Sequence, residues 1–122
     1  MKPLALAVSL GILIVGTSHP LHAGTLFTPP LPGGGAGVYC QAVNVTTSPR
    51  DVTLTITDAN AIAQTSTCVA LGASRSCTLA VPGFGLAPHA CRIDVAGGKT
   101  TVRASLVRLT SDGVPAIAVA AQ

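Results

Sequence analysis

The chain predicts an all-β domain, a two-sheet antiparallel sandwich of about seven strands, with a small closed β-barrel as the alternative. Three observations lead there. Apolar and polar residues alternate with period two, turn signals divide the chain at short intervals, and four cysteines, Cys40, Cys68, Cys77 and Cys91, follow an export signal with no fifth to spare.

The export signal comes first. Lys2 precedes an apolar stretch from Leu4 to Val15 in which Ser9 is the one polar side chain, and Thr17, Ser18, His19 and Pro20 then end it. A charged start, a short apolar core and a small-residue exit make residues 1–23 a secretory signal peptide, shorter than a bilayer span needs; an uncleaved membrane anchor is the alternative. Cleavage is expected after Ala23, with Leu21 and Ala23 in the recognition positions, and a cut after Ser18 is the second option. Neither site adjoins a cysteine, which excludes a lipid anchor on an N-terminal cysteine. Removing 23 of 122 residues leaves 99, one domain's worth, with no other segment long and apolar enough to cross a membrane.

Residues 24–36 follow as an extended arm. Pro29, Pro30 and Pro32 favour an open chain or a sheet edge, and Gly33, Gly34 and Gly35 form a flexible joint. The sandwich proper is residues 37–122. Its strands are expected at 37–45, 51–58, 61–71, 75–81, 89–96, 100–109 and 114–120. Ser48-Pro49, Asp58-Ala59-Asn60, Leu71-Gly72-Ala73, Pro82-Gly83, Gly97-Gly98 and Asp112-Gly113 separate them. The alternation is plainest from Asp51 to Asp58, where Val52, Leu54 and Ile56 take one face and Thr53, Thr55 and Thr57 the other. Cys77, Leu79 and Val81 repeat it against Ser76, Thr78 and Ala80.

Gly97-Gly98 reads as a two-residue hairpin turn. That turn would place Ala96 opposite Lys99, Ile93 opposite Val102, and Arg92 opposite Arg103. Cys91, Ile93, Val95, Val102 and Ala104 would then share the buried face, with Arg92, Asp94, Lys99 and Arg103 on the wet one. Two facing arginines repel unless Asp94 or a bound anion lies between them, so Arg92, Arg103 and Lys99 become the candidate contact for an anion or partner.

For the cysteines we expect Cys40 bonded to Cys91 between the sheets and Cys68 bonded to Cys77 across a hairpin turning at Gly72, one of three connectivities open to four cysteines. Loop closure makes the long bridge worth about 4 kcal/mol and the short one about 2.7 kcal/mol. Their spacings do not bring ligands in the close pairs of structural zinc sites, and no Cys-x-x-Cys is present.

Composition narrows function. Without Lys2, six basic residues face four aspartates and no glutamate, a net charge of +2, too weak to demand nucleic acid or an anionic membrane. The aromatics are Phe27, Tyr39 and Phe84 alone, so the core must be Val, Ala, Leu and Ile, and platforms for stacking sugars or bases are missing. Only His89 among histidines survives cleavage, which leaves acid–base work to it and four aspartates. No Gly-x-Ser-x-Gly elbow exists, and no cofactor or catalytic residue is expected. Gly98-Lys99-Thr100 lacks the upstream glycine and following helix of a phosphate loop, and Asn44-Val45-Thr46 reads as a chance glycosylation match.

Taken in order, Val38-Tyr39-Cys40-Gln41-Ala42-Val43-Asn44-Val45, the run from Val52 to Asn60, Cys77, Ala90-Cys91-Arg92-Ile93 and Val102-Arg103-Ala104-Ser105-Leu106 resemble a group of small exported bacterial proteins. The resemblance implies an immunoglobulin-like sandwich and no established activity. Against that fold, the core Trp is absent and His89 stands two residues before the second cysteine, where a Tyr is usual. The expected protein is therefore a secreted or periplasmic, non-catalytic structural or binding module. It would meet a protein partner in the envelope or outside the cell, either through its own surface, by adding the 25–32 arm to a neighbour's sheet, or by holding an anion.

Overall fold

The structure, a computed structural model, describes residues 23–32, 36–82 and 87–122. The expected signal segment 1–23, apart from Ala23, the expected joint at Gly33, Gly34 and Gly35, and the Gly83 half of one turn lie outside the described residues. Eight strands form: β1 (Ala23–Phe27), β2 (Gly37–Asn44), β3 (Arg50–Asp58), β4 (Ala63–Leu71), β5 (Ser76–Val81), β6 (His89–Ala96), β7 (Val102–Leu109) and β8 (Pro115–Ala120). They make two antiparallel four-stranded sheets, ordered β1-β6-β3-β4 and β5-β2-β7-β8, and not a closed barrel.

Seven of the strands fall where alternation and turn residues put them. Val52, Leu54 and Ile56 are buried, as are Cys91, Ile93 and Val95, and together with Val38, Cys40, Ala42, Val102 and Leu106 they form one aliphatic core. Two hairpins share one construction. Thr110 N donates to Val114 O and Gly113 N to Thr110 O; likewise Asp58 N donates to Ile62 O and Ala61 N to Asp58 O. Both are three-residue loops closing on a left-handed residue, Gly113 at φ 77° and Ala61 at φ 59°. A bulge opposite Asp51 adds a second alanine in that region, Ala70 at φ 50°, whose N–H donates to Asp51 Oδ1 at 2.7 Å.

The eighth strand is the arm itself. β1 pairs with β6 from Ala23↔Ala96 to Phe27↔Arg92. Past its end, Thr28 N donates to Cys91 O, Cys91 N donates to Thr28 Oγ1, and Leu31 exchanges both backbone bonds with His89. Pro29 and Pro30 fit between these contacts because an edge tolerates residues without an N–H.

The hairpin at Gly97-Gly98 does not form. β6 pairs with β1 and β3, whereas β7 pairs with β2 and β8 in the other sheet, so Arg92 faces Phe27 and Thr55, and Arg103 faces Val43. The two glycines serve another purpose. Both have positive φ, 102° and 101°, and a single 3-10 turn at Lys99–Thr101 then carries the chain across to the second sheet. A Cβ on Gly97 would overlap the Arg50 guanidinium, and one on Gly24 would overlap the backbone of Gly98 and Lys99. Positive φ at Gly97 and Gly98, and close backbone approach at Gly24, require glycine here, not strand reversal.

Both disulfides form as expected, Cys40–Cys91 and Cys68–Cys77, with Cα separations of 6.2 and 6.0 Å. The second is not the staple of a ladder. β4 and β5 are edge strands of different sheets, so this bridge, like the first, joins the layers. At the opposite edge Phe27 of β1 and Gln122, just past β8, exchange both backbone hydrogen bonds at 3.0 Å. The two sheets are thus cross-linked at one edge, in the middle and at the other edge, around a core that holds no aromatic side chain among the described residues. β2 lies between β5 and β7 in one sheet and β6 between β1 and β3 in the other, and the Cys40–Cys91 bridge joins these two inner strands.

Candidate functional site

Outward-facing residues of the first sheet form a hydroxyl-rich surface. Thr25, Asp94, Thr53 and Thr67 make one row across all four strands, and Phe27, Arg92, Thr55 and Thr65 make the next. Thr53 and Thr67 share a hydrogen bond of 3.0 Å, an ordinary cross-strand pair for a wetted β face. Arg92 is already committed there. Its Nε lies 3.0 Å from Asp94 Oδ2, and its guanidinium sits 6.0 Å from the centre of the Phe27 ring. Thr25 Oγ1 donates to the same carboxylate at 2.8 Å, so Asp94 neutralises Arg92 rather than Arg103.

Arg103 belongs to the outer side of the second sheet, and the structure therefore does not unite Arg92 with Arg103. It does unite Arg103 with Lys99. Both line a groove of about 480 Å³ together with Leu26, Gln41, Ser105 and Ala121, at the corner where the chain past β8 leaves β7 to reach β1. Arg103 Nη1 donates there to Val102 O at 3.3 Å. No ion pair to either cation is found among the described residues.

The groove runs into β8, whose segment 114–121, Val-Pro-Ala-Ile-Ala-Val-Ala-Ala, contains no polar side chain. Val114 is 57% and Ile117 42% exposed, although the strand pairs with β7 on its other side, with one register shift at Ala116. Edge strands of this composition usually carry a charge or lie under a covering loop. Here no strand pairs with the outer side of β8 among the described residues.

Two polar residues are buried for reasons that spacing did not show. Asn44 is wholly buried, and its Nδ2 donates to Ser48 O at 2.8 Å and Leu71 O at 2.9 Å. Its Oδ1 accepts from Thr46 N at 2.9 Å and Thr46 Oγ1 at 2.7 Å. The Asn-x-Thr match is thus a structural clasp, and its one visible sign was an Asn at an inward position after Val38, Cys40 and Ala42. His89 is buried beside Leu31, and its Nδ1 has no hydrogen-bond partner among the described residues; it borders a smaller cleft of about 180 Å³ with Asp58 and Gln64. The Asp58 carboxylate is occupied in its own turn, accepting from Asn60 N and Ile62 N. No protein family, no curated protein and no solved structure matches this chain.

Proposed function

We propose that the chain is an exported, non-catalytic binding module that works through protein contacts at the outer edge of β8. The signal segment and two disulfides support a working place outside the cytoplasm, in the periplasm or beyond the cell. The observation that carries the reading is the apolar segment 114–121, whose side away from β7 no strand pairs among the described residues. Strand addition by the 25–32 arm has less support. It would undo the β1–β6 pairing, the seat of Gly24 against Gly98, and the Thr28 and Leu31 contacts. β8 offers its edge without any rearrangement.

Affinity capture by the oxidised mature protein, from the envelope and medium of the cells that make it, tests this reading. A specific partner held by the wild type and by Arg92→Ala, and lost with Ala118→Lys, is the expected result. Capture indifferent to Ala118→Lys would remove the edge from the account. A second reading, an anion site, now rests on Lys99 and Arg103, which share the groove. It requires binding that weakens with salt and with Arg103→Ala.

A further inference from the structure

We infer that the partner for the β8 edge is β8 of a second copy, paired antiparallel about a two-fold axis near Ala118. This rests on the reading of β8 as the contact edge and names its occupant.

Backbone direction comes first. Ala121 N donates inward to Ala104 O, and the next residue, Gln122, turns its N–H and C=O away from β7 to Phe27. Alternation along an antiparallel strand then turns Ala118 and Ala120 the same way as Gln122, outward. A register shift between Arg108 and Leu109 ends the regular ladder near Ile117, and Phe27 occupies the far end. The open stretch is therefore short and centred on Ala118.

Self-pairing suits its side chains. A two-fold axis at Ala118 sets Ala118 against itself, Ala116 against Ala120, and Ile117 against Val119. Every hydrogen-bonding position is alanine, too small to obstruct a neighbour, and the half-exposed Ile117 gains an apolar partner. The outer edge of β4 is a poorer template. It presents Gln64, Thr65, Ser66 and Thr67 and is broken by the bulge at Ala70.

Charge selects direction. Antiparallel pairing brings the 110–114 turn of one copy, with Asp112, to the end of β8 where Lys99 and Arg103 of the other line the groove. Parallel pairing in register would instead set Asp112 beside Asp112 of the other copy, where like charges repel. The chain itself thus carries both halves of the match: an uncharged strand preceded by a carboxylate, and an uncharged edge followed by two cations. The arrangement is isologous and closed, and each dimer makes the charge contact twice. An interface this small is weak and concentration-dependent.

Sedimentation equilibrium of the oxidised mature chain, from micromolar to about 1 mM, reads the association. Average mass should rise toward twice that of one chain. Ala118→Lys places a charge at the axis, and Ala118→Pro removes an outward N–H without touching the β7 ladder; both should remain single chains with unchanged circular dichroism and melting. Asp112→Arg should weaken association, and adding Arg103→Asp should restore it. A single-chain mass throughout, or a dimer that survives both Ala118 variants, overturns the inference. If the wild type stays single while Ala118→Lys still abolishes capture of a different protein, the pairing of copies fails and the β8 contact stands. If neither association nor capture depends on Ala118, both fail.

Discussion

Replacing Asn44 by alanine should cost this domain far more than its place in a glycosylation match suggests. The side chain is wholly buried and makes four hydrogen bonds that hold the loop after β2 to the end of β4. At about 1 kcal/mol net for each bond the gross loss is about 4 kcal/mol. Ser48 is exposed and can recover water, whereas the Leu71 carbonyl is buried and cannot, so a net loss of about 3 kcal/mol is expected. For a domain of 99 residues that lowers the melting temperature by roughly 15 °C. Equilibrium unfolding in urea, with both disulfides intact, measures it. Thr46→Val deletes only the hydroxyl bonds to Asn44 Oδ1 and Ser48 O and should lose about 1 kcal/mol. A loss below about 1 kcal/mol for Asn44→Ala, or equal losses for the two variants, would refute the clasp.

Other consequences follow from single positions. Ala61→Gly and Ala70→Gly should each stabilise by about 0.5 to 1 kcal/mol, because both alanines hold positive φ, while Gly113→Ala should cost a similar amount; thermal melts of the three variants decide it. Gly24→Val should detach β1, seen as faster amide exchange at Leu26 and along β6, while the β2–β7 ladder stays protected; unchanged exchange would deny the close seat against Gly98. Replacing Cys40 and Cys91 together should cost about 4 kcal/mol and replacing Cys68 and Cys77 together about 2.7 kcal/mol, and chemical unfolding should preserve that order.

Much of the fold was legible because its signals are local. Alternation placed Val52, Leu54 and Ile56 inside, and Asp58-Ala59-Asn60 and Asp112-Gly113 marked turns within a residue or two of the strand ends. Sheet membership was not legible. An inward Ile93 and an inward Val102 have the same parity whether their strands pair or face each other across the core. Gly97-Gly98 looks alike as a hairpin turn and as room for Arg50 and Gly24 to approach, and only the other strands decide which. β1 was legible only as part of an extended arm or sheet edge, because five residues ahead of three prolines carry too little pattern to name the strand they pair with. Of the three candidate contact residues, Lys99 and Arg103 come together because they are neighbours along the chain, whereas Arg92 would join them only through the hairpin. The β8 edge was readable as an uncharged strand, while its openness depends on which strands flank it.

Both disulfides tie one sheet to the other. They hold an aromatic-poor sandwich rigid while its β8 edge stays free. Mass mapping of the unreduced protein tests it most directly, using trypsin to cut at Arg50, Arg75 and Arg92, and chymotrypsin at Phe84 to separate Cys77 from Cys91. The fragment holding Cys40 should be linked to that holding Cys91, and the fragment holding Cys68 to that holding Cys77. A link from Cys40 to Cys68 or to Cys77, or a free thiol at any of the four, would contradict it.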